Sequence, residues 1–471
     1  MSVSPAIVWF RDDFRLADNA ALTAAQQSGA PVLCLYIRQP VPQEFSAADW
    51  WREKSLSVFM DELARQGGRL HVFEGDAEHL LPEIVRRSGA TSVFWNRRYD
   101  PAGRATDTAL KARLRQDGTA VSSFAGNVLH EPWTIRTQAG QAFQVCGAYW
   151  RAACRVEPLP PLPAVQDVTF AIVEAESWPG WSGAVAPQLG ADGLPWCAML
   201  DCHHQKGEAA AHAALATFLQ QALPEYVQER DYPAHDGTSA LSCFLRTGQI
   251  TPRQIWQAVT DADSSQASVK FLAELGWREF AWSLLWDHPD LATRCLRPEF
   301  EHMAWRDDPA GLEAWKLGRT GYPLVDAGMR QLWQTGIMHN RVRMVVGSFL
   351  VKHLLIDWRE GERWFAHTLT DYDPASNAMN WQWVAGCGVE SAPFFRIMNP
   401  RLQQEKFDAQ GDYVRHWVPE LARVSQAVMA DILKDGCGGP GGYPPALVPH
   451  AMARARALAA LEQARQAGKS A

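Results

Sequence analysis

The sequence contains no apolar run long enough to cross a membrane and no signal peptide at its start. Its nine cysteines are scattered, without CxxC pairs or zinc-finger spacing, which predicts reduced thiols in a cytoplasmic protein and no metal site. Positive charge is also in short supply, since the formal net charge of the 471 residues is -7. A protein that coats nucleic acid through bulk charge would be basic, so any nucleic-acid site here must be a local basic patch.

Tryptophan, in contrast, is abundant, with 21 residues against nine tyrosines. A large core accounts for many indoles, but one stretch, ASNAMNWQW at 375–383, places Trp381 and Trp383 around a single glutamine. The motif DYDP, with Asp371 and Asp373, comes directly before it. Indole rings gathered beside carboxylates and amides indicate a functional site.

The first 130 residues alternate between apolar runs and helical patterns. Strands are predicted at 6–10, 31–37, 69–75, 91–96 and 120–126, with helices near 18–28, 53–66, 77–88 and 103–117. Continuously apolar strands that alternate with helices predict an α/β domain with a parallel five-stranded sheet covered on both faces. No G-x-G-x-x-G follows the first strand, so the usual dinucleotide fingerprint is absent.

Residues 131–205 are expected to form a connector, because 155–200 are rich in Pro and Gly and have no sustained period. Such a long connector is expected to wrap over a surface. Residues 206–471 are helical in pattern throughout, which predicts an all-helical domain. Within it, Thr251 is a predicted N-cap, Gly336 a predicted C-cap, and one long helix is expected over 340–358.

Glu274, Trp277 and Arg278 have the spacing that places them on one helix face. Taken alone, the pattern favours an ordinary Glu–Arg surface pair beside a half-buried indole. The alternative is a pocket wall that stacks a base, contacts its edge and holds a phosphate.

Three further groups leave similar alternatives open. The first opens a helix and could attract an anion or, through Arg343, only pair with a carboxylate: His339, Asn340, Arg341, Arg343 and Met344. The second could cradle a phosphate or cap a helix: Thr238, Ser239 and Ser242. The third could fill a core or relay electrons: Trp305, Trp358 and Trp381.

Several long motifs resemble those of the photolyase/cryptochrome flavoprotein family. They are VWFRDDFRLADNAAL at 8–22, LGWREFAW at 275–282, TGYPLVDAGMRQLWQTGIMHNRVRM at 320–344, LLIDWREGERWF at 354–365, NWQWVAGCG at 380–388 and PFFRIMNP at 393–400. The motifs occur in order, and the resemblance covers residue 6 to about 420. MHNRVRM is most similar to the class I cyclobutane pyrimidine dimer photolyases and lacks the paired histidines of the (6-4) branch.

The resemblance implies an N-terminal antenna domain and a helical domain that holds FAD. The residues implied around FAD are Tyr226, Thr238, Ser239, Ala240, Leu241, Ser242, Arg278, Arg343, Asp371, Tyr372, Asp373 and, beside flavin N5, Asn377. Family members often have Arg where this chain has Ala240, so one cation is missing. An antenna chromophore, methenyltetrahydrofolate or 8-hydroxy-5-deazaflavin, is also implied, with 38–56 and 96–104 as candidate walls.

The resemblance also implies roles for the indoles. Trp381, Trp358 and Trp305 match the photoreduction chain, with Trp381 nearest the flavin. The residues implied at the lesion and the DNA strand are Arg230, Glu274, Trp277, Arg278, Asn340, Arg341, Met344, Trp383, Arg396 and Gln403.

These matches predict a deoxyribodipyrimidine photo-lyase, a carbon–carbon lyase that repairs cyclobutane pyrimidine dimers with light. Its expected partner is damaged DNA. The enzyme is expected to be a monomer without an obligate protein partner, and to be associated with the nucleoid when bound to DNA. The alternatives are a cryptochrome-type blue-light receptor with the same fold and FAD, and an α/β nucleotide-binding protein with an unrelated helical domain.

Overall fold

The fold is taken from a computed structural model that describes residues 4–39, 45–182, 195–390 and 395–470. Residues 40–44 of the first candidate antenna wall and residues 393–394 of the last motif lie outside the described residues, as does part of the connector, 183–194.

The N-terminal part is built on five parallel strands, as predicted. They are β1 (Ala6–Phe10), β2 (Val32–Arg38), β3 (Leu70–Glu74), β4 (Ser92–Asn96) and β5 (Ala120–Phe124), in the order β3-β2-β1-β4-β5. The central strand β1 is buried along its whole length, because one apolar cluster covers each face of the sheet. The strand order reverses between β1 and β4, and the crevice at the carboxyl ends of such strands is where open α/β sheets bind ligands.

Four helices connect the strands, each close to its predicted position. They are α1 (Ala20–Gln27), α2 (Ala47–Arg65), α3 (Ala77–Ser88) and α4 (Pro101–Gln116). Side chains of Asn19, Ser46, Asp76 and Asp100 accept hydrogen bonds from the first turns of these helices, so each start is encoded locally.

The connector does wrap over the sheet, as expected. Phe170 forms a bridge with Val32 of β2, and Trp181 forms one with Phe73 of β3. The described part of the connector also contains two helices that its composition did not indicate, α5 (Cys146–Ala153) and α6 (Pro195–Asp201). Helix α5 packs in the helical half, where Tyr149 contacts the Phe280 ring at a centroid distance of 5.5 Å.

The rest of the described chain is helical. Its α-helices are α7 (Glu208–Thr217), α8 (Tyr226–Glu229), α9 (Ser242–Arg246), α10 (Pro252–Ala262), α11 (Gln266–Asp287), α12 (Pro309–Lys316), α13 (Pro323–Thr335), α14 (Asn340–Ser348), α15 (Trp358–Thr368), α16 (Pro374–Ala385), α17 (Pro400–Phe407), α18 (Asp412–Trp417), α19 (Gln426–Asp435) and α20 (His450–Ser470). Short 3₁₀ turns lie at Pro298–His302, Pro419–Leu421 and Pro440–Gly442, and wide π turns at Phe218–Ala222 and Phe349–Leu354. Thr251 caps α10 and Gly336 ends α13 in the left-handed conformation, as predicted.

The prediction of one long helix over 340–358 was wrong. Helix α14 widens into the π turn and stops at Leu355, whose φ of 58° is left-handed. The backbone N–H of Arg306 donates to the Leu355 carbonyl at 2.7 Å, which satisfies a group that the broken helix leaves free. Asp357 then caps a new helix, α15, so the chain changes direction just before Trp358.

The two halves are joined by buried ion pairs. Arg253 of α10 lies 2.7 Å from an Asp18 carboxylate oxygen, and Thr251 donates its hydroxyl to the same carboxylate. Arg246 lies 3.0 Å from Asp12, whose pKa is held well below its usual range: burial opposes the shift, but three arginines outweigh it.

Within the described ranges, no helix is long and apolar enough to span a bilayer. In those same ranges, no group of three or more His, Cys, Asp and Glu side chains is placed to hold a metal ion.

Candidate functional site

The Trp-rich stretch that stood out in the sequence forms helix α16. Asp373 starts it by accepting a hydrogen bond from Ser376 N at 2.7 Å, and Gly386 ends it with a φ of 96°. Asn377 and Trp381 are four residues apart and buried on one face, whereas Trp383 points to another side and is half-buried. One helix therefore presents an amide and an indole to the interior and a second indole to an open surface.

The side chain of Asn377 is held in one orientation by helix α15. Its amide nitrogen donates to the Glu362 carbonyl at 3.1 Å and to the Glu362 carboxylate at 3.0 Å. Burial raises the pKa of Glu362, and the hydrogen bond from Asn377 partly offsets this. Because both amide hydrogens are used, the remaining hydrogen-bonding atom of Asn377 is its carbonyl oxygen, an acceptor.

Arg343 and Asp371 form an ion pair of 2.8 Å beside this helix. The other carboxylate oxygen of Asp371 is buried and has no hydrogen-bond partner. A buried, unpaired carboxylate oxygen is costly, so it indicates a polar ligand that donates to it. Of the two alternatives that the sequence left open for Arg343, the structure shows the pairing with a carboxylate.

The 238–242 segment behaves as a turn rather than as a plain cap. Helix α9 begins after Leu241 without any side-chain cap hydrogen bond, which disfavours the simple capping interpretation. Ala240 has a φ of 51°, a conformation that costs a non-glycine residue about 1 kcal/mol or more. Thr238 and Ser242 are exposed, while Leu241 shares one buried cluster with Tyr226.

Tyr372 and Asp373 continue the chain from Asp371 and are both half-buried. Thr370, just before them, contacts the Cys243 sulfur at 3.2 Å. The 238–242 segment and the 371–373 segment are thus adjacent in the fold. The residues expected around FAD are therefore brought together, although they are spread over more than 150 positions.

The three tryptophans of the expected relay occupy different depths. Trp358 and Trp381 are 0% and 3% exposed and belong to one core cluster, whereas Trp305 is half-buried and packs against that cluster from outside. Trp381 lies directly on Gly361 of α15, where an added Cβ would come within 2.1 Å of the ring. Gly361 is one helical turn from Trp358, so the two inner indoles flank the same glycine.

Sequence reasoning missed the aromatic residues that surround Trp381. The Trp315 ring meets it edge-on at 6.3 Å, and the Phe365 ring does so at 5.0 Å. It also missed Glu362. A signal was present, because Trp358, Gly361, Glu362 and Phe365 repeat at the spacing of one helix face.

The Glu274 face of α11 is part of a polar cluster, not an isolated pair. Arg230 donates to the Glu274 carboxylate at 2.6 Å, and its guanidinium lies 5.1 Å from the Tyr226 ring centroid. Arg278 instead contacts Glu279 at 3.0 Å, so the predicted Glu274–Arg278 pair does not form. Trp277 is half-buried against the cluster that holds α11 on α16.

Helix α14 adds a second set of polar groups at this surface. Arg341 pairs with Asp231 at 2.7 Å, lies 4.5 Å from the Phe407 ring centroid, and reaches the Met344 sulfur at 3.8 Å. Asn340 is exposed at the first residue of the helix. Direct contacts therefore join Glu274 to Tyr226 through Arg230, and join Arg341 to Met344.

Two expected DNA-side residues come from the segment after α16. The Arg396 guanidinium lies 5.5 Å from the Trp383 ring centroid and is exposed. Gln403 is half-buried on α17, and the structure shows no contact that ties its side chain to the others.

A small cavity lies at the switch point of the sheet, between the ends of β1 and β4. It is lined by residues of both halves, among them Arg11, Asn96, Arg98, Arg246 and Arg278, and has a volume of about 50 Å³. A space of this size has room for a few water molecules. The second candidate antenna wall, 96–104, thus contributes to it, but a pterin or deazaflavin ring would need side chains to move.

Comparison with known proteins identifies both halves. Residues 6–166 match the family described as DNA photolyase, and residues 271–463 match the FAD binding domain of DNA photolyase. The chain is 45% identical to a deoxyribodipyrimidine photo-lyase of Agrobacterium fabrum over 98% of each chain. It is 33% identical to cryptochrome-2 of Arabidopsis thaliana, covering 89% of this chain and 71% of that protein.

Solved structures of photolyases have the same fold as this chain. A bacterial class III photolyase from Agrobacterium tumefaciens superposes with a TM-score of 0.92 at 44% identity, over 99% of this chain and 98% of that one. An archaeal photolyase from Sulfolobus tokodaii, solved with two FAD molecules, gives 0.82 at 28% identity, over 97% and 99%. The class I subdivision expected from MHNRVRM is not the class of the Agrobacterium structure, so it stays a prediction.

The sheet, the helical half with its unpaired Asp371 oxygen, and the near full-length similarity lead to one conclusion: the chain belongs to the DNA photolyase family and carries that family's FAD-binding domain.

Proposed function

We propose that the protein repairs cyclobutane pyrimidine dimers in DNA by light-driven electron transfer from reduced FAD to a flipped-out dimer. The observation that carries this proposal is that the residues expected around FAD lie next to those expected around the lesion. Glu274 and Trp277 on α11 face a surface that Arg230 joins to Tyr226, and α11 packs on α16, which carries Asn377. An electron would therefore travel a short distance between a cofactor and a substrate held by these sets.

The residues present fit FAD. The unpaired Asp371 oxygen is a buried acceptor, Arg343 is a nearby cation, and Asn377 offers a fixed carbonyl oxygen. Asp371, Arg343, Asn377, Tyr226 and the 238–242 segment would hold it. When bound, reduced FAD would supply on excitation by blue light the electron that splits the dimer.

The surface residues would hold the lesion. Trp277 and Trp383 are half-buried indoles that can stack on an extrahelical base, as enzymes that flip bases require. Glu274 would accept a hydrogen bond from the dimer's edge, and Arg230 keeps its carboxylate in place at 2.6 Å. Arg341 and Arg396 would contact phosphates on either side.

Trp381, Trp358 and Trp305 would carry electrons to oxidised FAD from the surface. Indoles suit this task because an indole ring can give up an electron and hold the charge as a radical cation. The burial of the three indoles supports electron transfer from the surface inward, because Trp305 is half-buried whereas Trp358 and Trp381 are buried. An antenna chromophore also belongs to the proposal, with its identity open between a folate and a deazaflavin.

The experiment that tests the proposal uses the FAD-loaded protein and dimer-containing single-stranded DNA under blue light. We expect dimers to disappear only in the light and only with reduced FAD. Equal repair in the dark, or intact dimers despite bound reduced FAD, would remove the photolyase proposal. The second outcome would leave the cryptochrome-type receptor as the better interpretation.

A further inference from the structure

An ionic cluster lies against the middle indole of the tryptophan series. The Arg359 guanidinium lies over the Trp358 ring, with its central carbon 4.8 Å from the ring centroid. Its nitrogens donate to the Thr293 carbonyl at 2.7 Å, and to carboxylate oxygens of Glu301 at 2.9 Å and Asp357 at 3.1 Å. Because three partners from different segments hold the guanidinium, its position over the indole is fixed.

The group that lies over the ring is the cation of this cluster. The Arg359 side chain is 21% exposed, whereas those of Glu301 and Asp357 are 38% and 30% exposed, so water screens the two carboxylates more than the guanidinium. Burial works against the charge of Arg359, but the neighbouring anionic groups outweigh it and raise its pKa. A cation over an indole face attracts the electrons of the ring. Trp358 therefore holds its electrons more tightly than an indole without such a neighbour.

The Trp358 ring has no route by which to lose a proton after oxidation. The side chain is 0% exposed, and its indole nitrogen has no hydrogen-bond partner among the described residues. An oxidised indole passes its N–H proton only to an acceptor or to water. Oxidised Trp358 would therefore keep its full positive charge, and its free energy would depend on the charges around it.

The cluster also joins the middle indole to the segment that carries the outer one. Glu301 belongs to the 3₁₀ turn Pro298–His302, and Cys295 N donates to its carboxylate at 2.6 Å. Trp305 follows four positions later and is half-buried, so water can stabilise a positive charge there. The middle indole has a fixed cation over its ring, whereas the outer indole reaches solvent.

We propose that Arg359 is a positioning residue of the electron relay, whose fixed charge raises the free energy of oxidised Trp358 so that the positive charge moves on to Trp305. The inference rests on the proposed function, because it takes excited oxidised FAD as the electron acceptor. Glu301 limits the effect, since its carboxylate offsets part of the guanidinium charge and keeps the step to Trp358 accessible.

The electrons balance in three one-electron steps. One electron passes from Trp381 to the excited oxidised flavin, one from Trp358 to Trp381, and one from Trp305 to Trp358. No bond forms or breaks, and no proton leaves Trp358. The flavin has then gained one electron and Trp305 has lost one, while the two inner indoles are restored.

The test uses the FAD-loaded protein with the substitution Trp305→Phe, in which the positive charge stops at Trp358. A laser flash excites the oxidised flavin, and the absorbance of the tryptophan radical is followed until the electron returns. This lifetime increases when oxidised Trp358 is more stable, because return through Trp381 becomes rarer. The readout is spectroscopic and does not depend on DNA repair.

Variants of the two charges should change this lifetime in opposite directions. Arg359→Gln removes the cation and should lengthen the lifetime about threefold or more, whereas Glu301→Gln leaves the cation less neutralised and should shorten it. Arg359→Lys keeps a positive charge and should restore most of the original lifetime. Arg359→Met, which is similar in length, repeats the test if glutamine is not tolerated. Arg363→Gln is the matched control and should change nothing, because that exposed side chain of the same helix pairs with Glu360.

An unchanged lifetime in Arg359→Gln, or a shift of both charge variants in one direction, would overturn the inference and leave the proposed function untouched. The same holds if Arg359→Lys behaves like Arg359→Gln, or if no tryptophan radical forms in a protein that splits dimers. A protein that forms the radical but splits no dimers when its flavin is chemically reduced would overturn the proposed function alone. A protein that binds no flavin would overturn both.

Discussion

Asn377 donates both hydrogens of its side-chain amide to Glu362, one to the backbone carbonyl and one to the carboxylate. The contact joins the α15 and α16 helices across 15 positions of the chain and leaves the amide oxygen as the group that a flavin would meet. A neutral amide fixed at this place favours the reduced forms of a flavin more than a negatively charged side chain would.

Glu362→Leu should release this amide. We expect a loss of about 1–3 kcal/mol in the free energy of unfolding, because a buried donor is left unpaired. Reduced FAD should also be reoxidised faster in air. Glu362→Gln is the matched control, since its side-chain oxygen still accepts from Asn377. If both variants behave alike in denaturant unfolding and in reoxidation, the orientation of Asn377 does not depend on this bond.

Trp381→Phe should slow the photoreduction of oxidised FAD by at least about tenfold, because the indole nearest the flavin is gone. Repair by chemically reduced enzyme should remain close to that of the parent protein. The measurements are flavin bleaching under blue light and dimer loss after reduction with dithionite. Trp95→Phe, in the N-terminal core, serves as the control. Parallel loss of both activities would show that Trp381 has another role.

Gly361→Ala should displace the Trp381 ring, since the new Cβ would come within 2.1 Å of it. Overpacking of this kind costs about 1–3 kcal/mol, which exceeds the gain of about 1 kcal/mol from Ala in a helix. In Gly347→Ala the new Cβ would lie 3.6 Å from the same ring and 3.2 Å from a Val384 methyl group, which needs to move by only a few tenths of an ångström. The midpoint temperature of thermal unfolding should therefore fall clearly for Gly361→Ala and little for Gly347→Ala. Equal effects would contradict the packing argument.

Glu279 should make stability depend on pH. Burial raises its pKa to about 7, although Arg278 and the backbone N–H groups of Leu129 and His130 act in the opposite direction. A raised carboxyl pKa favours the folded state below pH 4.5, and this contribution is lost as pH rises from 4.5 to about 7.

The shift of 7 − 4.5 corresponds to roughly 3 kcal/mol. The glutamine of Glu279→Gln cannot ionise. The free energy of unfolding of this variant, measured in urea and compared with that of the parent protein, should therefore increase between pH 5 and pH 7. A constant difference over this interval would mean that Glu279 is ionised throughout.

Arg396→Ala should weaken binding to dimer-containing single-stranded DNA without changing its sequence preference. Removing one phosphate contact lowers the slope of log affinity against log salt by about 0.7. Arg401→Ala is the control, because that side chain is already paired with Glu405 at 2.6 Å. Titrations at several salt concentrations give both slopes, and an unchanged slope for Arg396→Ala would place it away from the strand.

The parallel sheet could be predicted because its strands are continuous apolar runs, and the helix starts because Asn19, Ser46, Asp76, Asp100 and Thr251 act locally. The break at Leu355 could not, since leucine is a strong helix former and its left-handed conformation depends on Arg306, 49 positions away.

The same limit applies to the site. The spacing of Glu274, Trp277 and Arg278 gave their shared helix but not the partner of Glu274, which is Arg230 from another segment.

Helix α15 brings Trp358, Gly361 and Glu362 to the inner helices within little more than one turn. The Glu362 carboxylate and the oxidisable Trp358 ring are thus held at a fixed spacing on one helix. Insertion of one residue between them would rotate everything downstream by about 100° and separate the amide anchor from the electron route in one step. Length variation in this family should therefore avoid residues 358–362, whatever it does in the surrounding loops.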